Sequence, residues 1–331
     1  MKKDEIIKKL RCADGYISGQ EMCECFGVSR TAVWKAIKQL EKDGYKIEAV
    51  NNRGYRLIED AESDILSQAS IESYIETKWA AKNLIFKKET GSTNIDAKSL
   101  GENGAVSGTL VVADRQTAGL GRRGRSWVSE AGENIYMSIM LRPDCRPEKA
   151  SMLTLVMALA ALDSVNELQT ETARALIKWP NDIVINGRKV CGILTEMSAE
   201  IDGIHYVVIG IGINSNQTRF DGEIASRATS IFNETGRKVN RAKLIGHTMH
   251  YFEKYYAEFE KSQDMSALME RYNSFLANMD EKVRVLDPKG EYEGTARGIN
   301  EKGELIVDRA DGGREYVFAG EVSVRGVYGY V

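Results

Sequence analysis

Gln116-Thr117-Ala118-Gly119-Leu120-Gly121-Arg122-Arg123-Gly124-Arg125-Ser126-Trp127 is the stretch on which the reading of this 331-residue chain turns. Gly119-x-Gly121-x-x-Gly124 matches the dinucleotide-binding fingerprint, and Gly119-x-x-x-x-Gly124-Arg125-Ser126 differs from a P-loop by arginine in place of lysine. Both motifs need a helix to begin at the glycines, so that free N–H groups of its first turn face phosphate. Here Trp127-Val128-Ser129-Glu130-Ala131-Gly132-Glu133-Asn134 follows, and then an apolar β-type run at 135–141. No helix fits there, and no acidic residue ends a partner strand at the expected distance. Neither nucleotide fold is supported. What remains is a flexible loop with three arginines and a tryptophan. Guanidinium groups fork onto phosphate or carboxylate, glycines let backbone N–H groups approach an anion, and an indole can stack on a purine.

Outward from the loop, β-type runs recur at 109–113, 135–141, 175–179, 183–185, 190–197 and 206–212. The last three follow one another without a helix between them, which predicts an α+β sheet with helices on one face rather than a doubly wound fold. Helices are expected near 93–101, 151–169 and 240–278, the last broken around 261–264. The most apolar stretch, 152–162, is eleven residues long and contains Thr154. Spanning a bilayer takes about 20 residues, so it reads as a buried core helix. The start, Met1-Lys2-Lys3-Asp4, is charged but has no apolar run behind it, so no signal peptide is expected.

Residues 1–60 read as three short helices and a hairpin. Ser18 and Glu21 fit a capping box, Gly27 ends that helix, and Ser29 caps the next, whose inward face carries Val33, Ile37 and Leu40. That is the helix-turn-helix pattern. Strands at 45–50 and 55–58 flank Asn51-Asn52-Arg53-Gly54, a turn tolerant of positive φ, and would form the wing of a winged helix. The chain carries a net charge of −3, yet residues 30–56 hold seven basic and three acidic side chains. That local excess is the footprint of phosphate contact. Ser29, Arg30, Thr31 and Lys35 at the start of the second helix, with Arg53 in the wing, are the candidate DNA contacts.

Residues 279–331 show no helical period. Five short strands separated by turns at 287–290, 300–303 and 311–313 predict a small β-barrel. The expected division is therefore 1–62, 63–278 and 279–331. Five scattered cysteines, none in C-x-x-C spacing, predict neither a zinc site nor a disulfide framework and fit a reducing, cytoplasmic setting. His205, His247 and His250 belong to no motif.

The loop has company. Lys178-Trp179-Pro180-Asn181-Asp182 places a lysine at a strand end before a turn, and Lys189-Val190-Cys191-Gly192 starts the other arm of a hairpin. An apolar strand ends at Gly212-Ile213-Asn214, and Gly91-Ser92-Thr93-Asn94 caps a helix, with Asp96 three residues after Thr93. Together these resemble the biotin–protein ligase family, in the subgroup with an N-terminal winged helix that also represses the biotin operon. The resemblance covers essentially the whole chain.

It implies a winged helix-turn-helix, a central mixed-sheet α+β catalytic domain and a C-terminal SH3-like β-barrel. It also implies that biotin and ATP, with Mg²⁺, form biotinyl-5′-AMP, whose acyl group passes to a lysine of the biotin carboxyl carrier protein of acetyl-CoA carboxylase. No protein metal site is implied, and no membrane. Ser92, Thr93, Asn94, Gln116, Leu120, Gly121, Arg122 and Lys178 match the biotin-binding positions. Arg122, Arg125, Trp127, Lys178 and Asn214 match those on the adenylate, with Lys178, Arg122 and Arg125 as the catalytic cations. Lys189 matches a second hairpin lysine of less defined role, and Asp182 is a candidate base for the transfer step, or simply a turn former. The resemblance further implies operator DNA as partner and a homodimer joined through sheet edges once the adenylate is bound. One departure stands out: Leu120 replaces an arginine found in many members. Two other readings share these features, a non-catalytic transcription factor sensing a small effector and a lipoate–protein ligase.

Overall fold

The computed structural model of the chain describes residues 3–58, 64–168, 170, 173–200, 203–287, 290–319, 323–326 and 330–331. Part of the turn expected at 287–290, and the boundary expected at 62/63, lie outside the described residues. The chain divides into two compact units, Met1–Glu76 with Lys238–His247, and Thr77–Arg237 with Thr248–Val331.

In the first unit, α1 (Lys3–Arg11), α2 (Gly19–Phe26) and α3 (Arg30–Lys42) precede β1 (Ile47–Val50) and β2 (Gly54–Leu57). Both expected caps are in place. Ser18 accepts from the Glu21 N–H, Ser29 accepts from the Ala32 N–H, and Gly27 closes α2 at φ 63°. Ile6, Ile7, Leu10, Met22, Val33, Ile37 and Leu40 form the core. The wing turn uses positive φ at Asn52 and Gly54. At Gly54 a Cβ would also lie 2.0 Å from the Ile17 carbonyl oxygen, to which strand residue Tyr55 donates. Only glycine satisfies both demands. A short α4 (Gln68–Glu72) follows.

The second unit is built on seven strands: β3 (Leu84–Thr90), β4 (Thr109–Gln116), β5 (Ile135–Leu141), β6 (Ala175–Lys178), β7 (Asp182–Ile185), β8 (Arg188–Glu200) and β9 (Gly203–Ile213). They lie in the order β3-β4-β5-β9-β8-β7-β6, with β3 and β4 parallel and the other pairs antiparallel. The mixed sheet is as expected, but the helices are not confined to one face. On α5 (Thr93–Glu102), Asn94 and Lys98 both reach Glu196 of β8; on α6 (Leu153–Asn166), Thr154 bonds to Thr195. Adjacent strand residues point to opposite faces, so α5 and α6 lie on opposite sides of the sheet. The helix expected from the apolar run is α6, whose residues 153–165 are all buried, as a helix apolar all round should be.

Beyond the sheet come α7 (Ile231–Thr235), α8 (Arg241–Ser262) and α9 (Met269–Ser274), with the break between α8 and α9 near the expected place. The strands β10 (Lys282–Leu286), β11 (Tyr292–Ile299), β12 (Leu305–Arg309), β13 (Arg314–Val317) and β14 (Ser323–Gly326) then form an antiparallel sheet in the order β13-β12-β11-β10-β14. Its edges β13 and β14 are not paired with each other, so among the described residues it is an open small sheet rather than a closed barrel. No helix among the described residues is long and apolar enough to cross a membrane.

Candidate active site

Strand register brings the site together. The pairs Lys178↔Asp182, Asp182↔Gly192, Gly192↔Gly212 and Tyr136↔Gly212 set five residues in one row across five strands, all facing the α5 side. The next row on that face is Ser138, Gly210 and Leu194. Lys189 would fall on the opposite face by simple alternation from Gly192. A β-bulge between β7 and β8 shifts the register so that Lys189 pairs with Val184 and turns to the site.

The glycine–arginine loop folds over this platform. Trp127 donates its N–H to the Gly119 carbonyl (2.9 Å), Gly121 to that of Arg125 (2.7 Å), and Leu120 bridges Ser126 as a small ribbon. Arg123 at φ 59° and Gly124 at φ 71° make its tip, with no α-helix behind the glycines. The indole of Trp127 rests on the glycine pair. A Cβ on Gly212 would lie 2.5 Å from it, and one on Gly192 2.7 Å. Its Nε1 is buried without a hydrogen-bond partner. Leu120 contributes through its backbone bridge and leaves its side chain 41% exposed.

Two adjoining cavities result. The smaller, about 50 Å³, is lined by hydroxyl and amide groups of Ser92, Thr93, Asn94 and Gln116, and by Leu120, Gly121 and Arg122. Its polar wall is tied down. Thr93 donates both N–H and hydroxyl to Gln116 Oε1 (2.9 and 3.1 Å), and Gln116 Nε2 donates to Ser129 (2.9 Å). Ser138 donates to Asn94 Oδ1 (2.6 Å), while Asn94 Nδ2 donates to Glu196 (2.8 Å). Within the expected capping segment the cap is Ser92, and its hydroxyl makes no capping bond. Asp96 instead accepts from the Thr90 hydroxyl and pairs with Lys87.

The larger cavity, about 520 Å³, takes in Arg122, Arg125, Trp127, Lys178, Asp182, Lys189, Asn214, Arg325 and Tyr330. Arg122 donates to Asn181 Oδ1 (2.8 Å) and to the Ala319 carbonyl (3.3 Å), and burial lowers its pKa from the ordinary guanidinium value. Lys178 is buried, and that burial pulls its pKa down to about 8, with Asp182 opposing the shift. Lys189 pairs with Asp182 at 2.6 Å and lies 5.2 Å from the Trp127 ring centre. Burial pushes the Asp182 pKa up, but the charges of Lys189 and Lys178 and a hydrogen bond from Tyr330 outweigh it and hold it below the usual carboxylate value. Asn214 spends its amide N–H on the Thr229 carbonyl (3.0 Å), fixing the end of β9.

Every site residue expected from the sequence in this unit thus lines one cavity or the other. Lys189 lines both, whereas Lys178 lines only the larger, so Lys189 occupies the junction that the sequence left undefined. Asn181, which orients Arg122, was visible inside the Lys-Trp-Pro-Asn-Asp run without a role. Ser138, Arg325 and Tyr330 gave no signal, because one lies inside an apolar strand and the others outside every motif.

In the first unit Ser29, Arg30, Thr31 and Lys35 are exposed along α3, and Arg53 is exposed on the wing. Ser29 spends its hydroxyl oxygen on the cap, and Arg30 donates to Gln20. Arg56 and Lys38, counted in the basic excess, are paired with Glu48 and Glu41. Trp34, 51% exposed on α3 beside Lys35, was not anticipated.

Comparison with known proteins places these features in a family. Residues 85–214 match the biotin/lipoate A/B protein ligase family, residues 2–56 an HTH domain, and residues 280–325 the biotin protein ligase C-terminal domain. The bifunctional ligase/repressor BirA of Bacillus subtilis is 40% identical over 94% of this chain and 95% of its own length. A biotin–[acetyl-CoA-carboxylase] ligase of Paracoccus denitrificans is 34% identical over 70% of this chain and 97% of its own. The solved biotin protein ligase from Aquifex aeolicus in complex with biotin and ATP is 32% identical with a TM-score of 0.64, covering 74% of this chain and 99% of that one. The chain belongs to the biotin protein ligase family, among its bifunctional ligase/repressor members.

Proposed function

We propose that the chain joins biotin to ATP as biotinyl-5′-AMP, passes the biotinyl group to a lysine of the carrier protein of acetyl-CoA carboxylase, and represses transcription from operator DNA. The observation that carries the reading is the set Lys178, Lys189, Arg122 and Arg125 around one cavity that adjoins a pocket of hydroxyl and amide groups. A carboxylate oxygen attacking the α-phosphorus forms a new P–O bond as pyrophosphate leaves, so three anionic groups must be brought together. Fixed cations lower that barrier without moving a proton. In this reading the smaller cavity takes the biotin ring system, Arg122 and Lys189 face the reacting carboxylate and phosphate, and Trp127 and Asn214 border the adenine. Mg²⁺ would enter with the nucleotide, keeping several waters and binding through the triphosphate oxygens.

In the second step the acceptor amine attacks the acyl carbon and AMP leaves. Asp182 holds Lys189 rather than serving as base, since an ion-paired carboxylate of depressed pKa is a poor proton acceptor. The test is incubation with labelled biotin, ATP and a carrier domain. Absence of label on the carrier would sink the ligase half.

Lys178 gives the reaction a pH limb. A lysine with its pKa lowered to about 8 is charged below that value and loses its charge as pH rises through it. Adenylate formation should fall above about pH 8, and Lys178→Arg should move that limb upward because a guanidinium stays charged. A rate-against-pH profile of both proteins decides it.

For repression, we read the chain as three domains, 1–62, 63–278 and 279–331. Adenylate binding orders the 116–128 loop and favours a cytoplasmic homodimer that spans two half-sites. Lys35→Ala should weaken operator binding and reduce the slope of log K against log salt by about 1, the signature of one lost phosphate contact. An operator selected from random DNA and titrated at several salt concentrations measures that slope.

A further inference from the structure

We infer that Tyr330 is a positioning residue of the adenylate-forming site, holding Asp182 on Lys189 and covering the charge of Lys178. The inference rests on the ligase reading above. Tyr330 donates its hydroxyl to Asp182 Oδ2, the one hydrogen bond that fixes this carboxylate among the described residues, while Lys189 Nζ pairs with Oδ1 at 2.6 Å by charge. The face of the same ring lies 4.0 Å from Lys178 Nζ. Among the described residues the Lys178 ammonium makes no hydrogen bond or ion pair, although its side chain is buried. A cation over an aromatic face keeps part of the stabilisation that water would give it and remains open to an incoming anion.

The consequence follows from what surrounds Lys178. The charged groups facing it are Asp182, Lys189, Arg325 and Arg122. Among the described residues Asp182 is the one anion in that set, and Tyr330 holds its Oδ2. Without the hydroxyl, Asp182 Oδ2 can turn onto Lys178 and close an internal ion pair. Lys178 would then be held protonated to higher pH, yet would be neutralised before the nucleotide arrives. A side chain outside the seven-stranded sheet thereby sets how much of the Lys178 charge is available to phosphate.

The test compares full-length wild type with Tyr330→Phe and Tyr330→Ala in biotin-dependent exchange of labelled pyrophosphate into ATP, at pH values on either side of 8. Tyr330→Ala should raise KM for ATP about tenfold or more, the effect of losing a bond to a charged group, with KM for biotin within about twofold of wild type. Tyr330→Phe, which keeps the ring, should raise it less. Both variants should move the alkaline limb to higher pH. An unchanged KM for ATP and an unmoved limb in Tyr330→Ala would overturn the inference. So would equal losses towards biotin and ATP in Tyr330→Phe, which mark a residue that only supports the fold. Wild type with no exchange at all defeats the ligase reading and this inference with it, and that lane alone tells the two failures apart.

Discussion

Replacing Lys189 with methionine should lower the rate of adenylate formation by about 10²–10³-fold, the usual cost of removing one group that faces developing charge. Among the described residues Lys189 is the one lysine that lines both cavities, so in the proposed reading its ammonium stands where a carboxylate and a phosphate would meet. The same change removes the partner of Asp182 Oδ1 in a site where that carboxylate is buried. Breaking a buried pair costs about 3–5 kcal/mol, and the cost here should be smaller, because Lys189 is 23% exposed and Lys178 remains beside the carboxylate. The two effects separate in a double variant. Lys189→Met with Asp182→Asn should recover most of the lost stability in urea unfolding and none of the lost rate. If the double variant regained activity, Lys189 would be no more than a counter-ion.

Gly210→Ala should raise KM for biotin by about 10²-fold, the scale set by misplacing a positioning group by about an ångström. A Cβ at Gly210 would lie 2.0 Å from Asn94 Oδ1 and 2.8 Å from its Cγ. Asn94 cannot step aside freely, since it is held on α5 between Ser138 and Glu196. Overpacking of this kind also costs about 1–3 kcal/mol of stability. Adding Asn94→Ala should relieve the overlap and restore the melting temperature, while biotin affinity stays low. KM for ATP should stay close to wild type throughout, because Gly210 and Asn94 line only the smaller cavity. Parallel increases in both constants would show that the damage is not local.

The sequence carried much of this arrangement and missed the rest for identifiable reasons. The strand at 135–141 and the caps at Ser18 and Ser29 were readable because periodicity and capping chemistry are local. The absence of a helix after Gly124 was readable in the same way and removed two nucleotide-binding folds. The placement of α5 and α6 on opposite faces was not readable, since it depends on connections rather than on period. Nor was the orientation of Lys189. Alternation puts it on the wrong face, and one unpaired residue at the bulge reverses the result. Tyr330 stands 148 positions from Asp182, and no spacing rule reaches that far.

The paired glycines beneath Trp127 have a consequence for redesign. Shortening side chains is the ordinary route to a site that accepts a bulkier substrate, but Gly192 and Gly212 leave nothing on that floor to shorten. Enlargement must come from the ceiling, which is Trp127 itself, or from the neighbouring row at Leu194. Cutting back Trp127 would merge the two compartments it borders, giving room at the expense of keeping the two substrates apart. Variants aimed at larger biotin analogues should therefore begin at Leu194, which lines the smaller of these two compartments and not the larger.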